Sequence, residues 1–271
     1  MFNTGRLNLA RKRRRYTAKI LAEKARIATV TLSRIVNGLQ APDDDTVGKI
    51  IAALGYPRDF FFRDDIDPID SSTASFRSLK AMTSRERDAA LSAGELAYEM
   101  VDWVKEKFNL PQADLLDLSH EPDPAAAARM LRQRWSIGER PIGNMVKLLE
   151  TKGVRVFSLA ENTKNVDAFS CWRNDEPYVF LNTFKSTERS RFDSAHELGH
   201  LVLHRHGGAK QGRSAEYEAH LFAVWKEGVT KAHIAAELAI PADEMENLLF
   251  GLTGDVKPPD RSTGRPSLRV I

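Results

Sequence analysis

Among 271 residues, one short stretch concentrates the side chains best suited to chemistry: His196-Glu197-Leu198-Gly199-His200, inside an amphipathic run over 186–204. In a helix, residues four apart differ by about 40° around the axis and about 6 Å along it, so both imidazoles face one point. Paired imidazole nitrogens of this kind favour zinc. Glu197, one step from His196, reaches a water at that point without being a ligand, which is where a general base is wanted. Phe192, Ala195, Leu198 and Leu203 supply apolar packing around the pair.

A catalytic zinc takes three protein ligands and keeps one position open. The third must come from beyond Gly207-Gly208, where the first helix is expected to end. Glu216 is the first choice, because it shares a helix side with Ala219, His220 and Ala223, and the alanines let the two helices approach closely. Glu218 is the second. His204, one turn further along the first helix, lies too far up the axis to close the site and suits an orienting or capping role.

Other elements must position these groups. The motif helix is expected to be capped at Ser186, directly after three short β-branched or aromatic strands at 154–159, 166–172 and 178–183. Before them, Pro141 and Gly153 frame a helix carrying Ile142, Met145, Leu148 and Leu149. Two earlier helices show apolar stripes expected to face the core, Leu96-Met100-Trp103-Val104-Phe108 and Ala128-Leu131-Trp135. Ile234, Leu238, Ile240, Met245, Leu248 and Leu249 read as two further helices around Pro241, and 254–271 as a flexible tail.

The stretch from 75 to 225 resembles the ImmA/IrrE family of zinc metallopeptidases. The residues that carry the resemblance include Ser75-Phe76-Arg77, Pro141-Ile142-x-Asn144, Val166-Asp167-Ala168-Phe169-Ser170-x-Trp172, Leu181-Asn182-Thr183, Ala195-His196-Glu197-Leu198-Gly199-His200-Leu201-x-Leu203-His204 and Glu216-x-x-Ala219-x-x-Phe222-Ala223. The resemblance implies His196, His200 and Glu216 as zinc ligands, Glu197 as base, a gluzincin-like fold, and a sheet edge that aligns a peptide strand by main-chain hydrogen bonds. It also implies a repressor-type protein as substrate. One departure stands out: where the family continues from Phe222-Ala223 into an apolar Leu-Leu-Met-Pro stretch, this chain has Val224-Trp-Lys-Glu-Gly228.

Charge marks the other end of the chain. Residues 1–60 carry a net +7 and the remainder −4, an asymmetry that points to an anionic partner for the N-terminal segment, nucleic acid before membrane. Residues 6–62 read as five short helices. Thr17 caps the second, the third runs from about Thr29 to Asn37 with Leu32 and Ile35 inward, and the fourth is capped near Asp45. This pattern resembles the XRE family of helix-turn-helix repressors through Leu21-Ala22, Thr31-Leu32-Ser33-Arg34-Ile35, Asn37-Gly38, Pro42 and Leu54-Gly55-Tyr56-Pro57. By that resemblance Thr29, Val30, Ser33 and Arg34 read bases, while Thr17 and the Arg11 to Arg15 cluster, Arg13 among them, hold phosphates. Such domains usually pair, so a homodimer on a double-stranded DNA operator is expected.

The expected fold is mainly α with a small β-sheet: a five-helix HTH domain at 1–63, an acidic, Ser- and Pro-containing linker at 64–75, and an α+β gluzincin-like domain at 76–253. A single cysteine, Cys171, excludes an internal disulfide, and no apolar run approaches the roughly 20 residues of a membrane span, so a cytoplasmic protein is expected. The function expected is a DNA-binding transcriptional regulator with a zinc-dependent metallopeptidase domain. The alternative is a regulator or antitoxin-like protein whose degenerate peptidase domain senses a ligand or partner.

Overall fold

The computed structural model describes residues 1–69, 74–76, 82–159, 168–182, 187–205 and 213–227, all within one compact unit spanning Met1–Gly228. Expectations for Ser186, for the Gly207-Gly208 stop, for the helices around Pro241 and for the tail lie outside these residues.

The N-terminal part folds as expected. Helices α1 (Thr4–Arg13), α2 (Ala18–Ala25), α3 (Thr29–Val36) and α4 (Asp44–Leu54) are followed by a 3-10 turn, Arg58–Phe62, making five helical segments. Thr17 caps α2 through Ile20 N, and Asp43, two residues before the expected cap, closes the start of α4 through Thr46 N. Leu7, Leu21, Leu32, Ile35, Ile50 and Phe61 are completely buried in one cluster.

Strand β1 (Ser75–Phe76), helices α5 (Ser84–Lys107), α6 (Pro124–Arg134) and α7 (Met145–Thr151), strands β2 (Arg155–Leu159), β3 (Ala168–Arg173) and β4 (Glu176–Asn182), and helices α8 (Thr187–Leu203) and α9 (Arg213–Glu227) follow. The sheet order is β1-β3-β4-β2, with β2 parallel to β4 and β3 antiparallel to both β1 and β4. Period-two alternation divides its side chains between two cores. Phe169, Cys171, Tyr178 and Phe180 meet α5 on one face. Ala168, Val179 and Leu181 meet α6 to α9 on the other.

Three expectations change. The stripe assigned to α5 is not its core face: Met100, Trp103 and Phe108 are 52%, 55% and 62% exposed. The helix buries Ala90, Ala97, Tyr98 and Val101 instead, because it approaches the sheet so closely that a methyl group at Gly94 would clash with Ile69 and press on Phe180. Only small side chains and one flat ring fit there. Helix α7 starts at Met145, since Asn144, not Pro141, caps it through Lys147 N. Strand β1 was not anticipated; two residues carry no readable alternation.

Within the stretch expected as a linker, the described residues 64–69 are held by both neighbouring cores. Ile66 packs against the N-terminal core and Ile69 against the α5 core, while Asp67 pairs with Arg173 at 2.6 Å. Alongside it, Arg6 of α1 is 4% exposed and makes a two-pronged bond to Glu99 of α5, at 2.7 and 3.0 Å, and a third bond to the Asp64 carbonyl at 2.7 Å. Leu96 of α5 adds apolar contact with the N-terminal core.

Two outcomes are expected. The Arg6 hydrogen bonds hold the Glu99 carboxyl below the ordinary glutamate range, against the opposing effect of burial, with the charges of Arg6 and Arg63 assisting. A lowered folded value means that the pair stabilises fully above the unfolded glutamate value of about 4.3 and loses that effect as pH falls through the folded value. Glu99→Ala should therefore cost about 1.5–3 kcal/mol in urea unfolding at pH 7, and less at pH 3. Burial pushes the Cys171 thiol up to about 12, with the Tyr98 hydroxyl opposing and the Glu197 charge assisting. The native protein should resist a thiol reagent that reads one thiol after unfolding.

Candidate metal centre and recognition helix

Helix α8 packs most extensively on α9, and the contact is set by size. An added Cβ at Gly199 would lie 3.0 Å from the Ala219 Cα and 3.2 Å from its carbonyl oxygen. Phe222 and Ala223 of α9 join Ala195, Leu198 and Leu201 of α8 in the same core. This approach carries Glu216 to the histidines. His196 Nε2 lies 3.2 Å from His200 Nε2 and 3.2 Å from Glu216 Oε2, and His200 Nε2 lies 3.4 Å from Glu216 Oε1.

These spacings test the fit of a metal. Four ligands arranged tetrahedrally at about 2.0–2.1 Å from zinc stand about 3.3–3.4 Å apart; the two imidazole nitrogens lie 3.2 Å apart, each has a Glu216 oxygen at 3.2 or 3.4 Å, and one ligand atom from each residue falls within 4.8 Å of the other two. Both imidazoles are buried and Glu216 is half-buried, so the donor set of two nitrogens and one carboxylate is largely shielded from water. Burial disfavours the ionised Glu216, but hydrogen bonds from His196 and His200 outweigh it and hold the carboxyl down to about 2. It is present as the anion a divalent cation requires. The residues present can hold zinc.

Glu197 is fully buried and turned toward β3, where the Ser170 hydroxyl donates to its Oε2 at 2.7 Å. Sequence reasoning did not select Ser170 for this role. The available signal was a polar residue in an otherwise apolar strand, Ala168-Phe169-Ser170-Cys171, and only the strand register shows that it faces α8 rather than α5. Glu218, the second choice for ligand, does not join the three donors. Its Oε2 lies 3.3 Å from His204 Nε2, and His204 Nδ1 lies 3.1 Å from His200 Nδ1. Burial, with the His200 charge adding to it, holds His204 below the ordinary histidine value despite Glu218.

In the N-terminal part of the chain α2 and α3 pack through Leu21, Ala22, Ala25, Leu32 and Ile35. Thr29, Val30, Ser33 and Arg34 all stand exposed on the opposite side of α3. Thr17 sits at the N-terminus of α2, and Arg13 is half-buried in the last turn of α1. Not every arginine of the basic cluster is left for an external anion. Arg11 donates to the Tyr16 carbonyl and to Asn8, and Arg14 donates to the Leu54 carbonyl and lies over the Tyr56 ring.

The tight crossing gives a direct test. Gly199→Val should force α8 and α9 apart, lower zinc affinity at least tenfold by drawing Glu216 from the histidines, and cost about 1–3 kcal/mol of stability. Equilibrium dialysis against buffered zinc and urea unfolding read the two effects separately.

Two family models match separate stretches of the chain. Residues 7–61 match the helix-turn-helix family model, and residues 149–258 match the peptidase family described as the IrrE N-terminal-like domain. No curated protein and no solved structure matches the chain. Among the described residues, no helix is long and apolar enough to cross a membrane. The chain therefore joins an XRE-type helix-turn-helix domain to an ImmA/IrrE peptidase-family domain, the make-up of a DNA-binding regulator that carries a peptidase-like domain.

Proposed function

We propose that the chain is a zinc-dependent endopeptidase tethered to DNA, which cleaves a repressor-type protein and so changes transcription at its operator. The observation that carries this reading is the convergence of His196, His200 and Glu216 within hydrogen-bond distance of one another, beside a buried glutamate on the same helix. A merely structural helix pair has no use for two histidines and two carboxylates gathered at its crossing. Zinc held there supplies Lewis-acid polarisation of a peptide carbonyl. Glu197 accepts a proton from the attacking water and returns it to the leaving amine. Ser170 keeps the Glu197 carboxylate turned to one side as it does so.

The N-terminal domain supplies location. The exposed side of α3 suits the major groove, and Arg34 has the fork that pairs both acceptors of a guanine. A single recognition helix reads few bases, which favours a homodimer on a two-fold operator. Because Arg6, Leu96 and Glu99 fix α1 against α5, the metal domain stays beside whatever occupies that operator. This placement supports a substrate that is itself bound to DNA or to the same control region.

Zinc analysis of purified protein should give one ion per chain, with Glu216→Ala losing far more affinity than Glu218→Ala. Glu197→Gln should keep zinc and the fold while abolishing cleavage of the repressor. If that substitution leaves regulation intact, the domain senses rather than cuts. Operator binding should fall steeply with salt. Arg34→Ala should relax sequence preference, by about 1–3 kcal/mol at the base it reads, whereas Arg13→Ala should weaken all duplexes alike.

A further inference from the structure

We propose that His204 and Glu218 are positioning residues: together they fix the tautomer in which His200 can ligate a metal through Nε2. This rests on the metal reading above and assigns α9 two glutamates with different work.

The chain of contacts is continuous. His204 follows the last residue of α8, and its amide still donates to the His200 carbonyl at 3.0 Å, so its ring lies one turn beyond that of His200. His200 Nδ1 meets His204 Nδ1 at 3.1 Å, His204 Nε2 meets Glu218 Oε2 at 3.3 Å, and the Ser214 hydroxyl reaches Glu218 Oε1 at 3.4 Å. The His204 and Glu218 side chains are 13% and 16% exposed, which shields the links from competing water.

Each neutral imidazole has one ring nitrogen that donates and one that accepts. A metal beside His196 Nε2 and Glu216 takes the lone pair of His200 Nε2, so the His200 proton sits on Nδ1. That N–H points at another ring nitrogen. The bond forms only if His204 Nδ1 accepts, which places the His204 proton on Nε2. There it faces a carboxylate, which only accepts. Every link then has one donor and one acceptor. With the opposite His204 tautomer, two N–H groups face each other at Nδ1 and two acceptors face each other at Nε2. Glu218 is thus the group that sets the direction of the chain, through the acceptor oxygen it turns to His204 Nε2.

The test uses the full-length protein, histidine-labelled with 15N. In the zinc-loaded wild type, long-range 1H–15N correlation should show His204 with its proton on Nε2. Glu218→Leu and His204→Phe should weaken zinc binding by about 10–100-fold in competition with a chromogenic chelator. Glu218→Gln, whose amide oxygen still accepts from His204 Nε2–H, should bind nearly as the wild type does. This rescue separates orientation from ligation, which Glu218→Gln would abolish, and from packing, which treats Leu and Gln alike. Urea unfolding of each metal-free variant should still show one cooperative transition, which separates a weakened zinc site from a protein that has failed to fold. Equal zinc affinities for Glu218→Leu and Glu218→Gln, or a His204 proton on Nδ1, would overturn the proposal and leave the metal reading standing. A wild type that takes up no zinc would overturn both.

Discussion

Where Gly199 of α8 meets Ala219 of α9, a single added methyl group would lie 3.0 Å from backbone, and the arrangement of the metal centre depends on that approach. Helices whose facing residues carry ordinary side chains pack with axes about 8–10 Å apart. A glycine opposite an alanine permits the lower end of that range. A glutamate side chain spans only a few bonds, so Glu216 reaches His196 and His200 because its backbone has been brought near. The apolar residues that hold the pair, Leu198, Leu201, Phe222 and Ala223, belong to the largest core among the described residues. Ligand geometry is therefore secured by packing at positions that take no part in the chemistry.

The sheet contributes in a different way. Its two faces serve different cores, and a slip of one residue would exchange them. Ser170 reaches Glu197 only in the register that pairs it with Val179 of β4 and Ser75 of β1. A buried carboxylate is costly unless it accepts hydrogen bonds, so the serine both permits the burial and fixes the orientation. The same register places Cys171 against Tyr98 on the far side, where the thiol is kept inert.

Much of this was legible in the chain. The helical spacing of His196 and His200 predicts that their rings share a side, and the alanines three and seven residues after Glu216 predict which glutamate comes close. The N-terminal helices follow from caps and inward aliphatics that local rules describe well. Other features depend on information that no local window contains. Helix α5 has one apolar stripe of large residues and another built from alanines and Tyr98; size favours the first as core, yet the close sheet admits only the second. Ser170 needed the strand register, and Glu218 needed the relative placement of two helices. The acidic stretch after Arg63 has the composition of a spacer, but in its described part, 64–69, Ile66 and Ile69 pack into two different cores.

The buried Arg6 has a bearing on how the molecule can be taken apart. Its guanidinium, enclosed and bonded to Glu99 and to the Asp64 carbonyl, belongs by sequence to the first helix and by environment to the fifth. A fragment ending near residue 63 carries that cation and the rim of its own core into solvent. The complementary fragment keeps an unmatched Glu99 beside a bared Leu96. Each piece would lose the partners that the other supplies, so dissection at this boundary should lower the stability of both halves rather than release two unaltered modules. The covalent fusion is matched by a folded seam, and gene-level modularity is greater here than physical modularity.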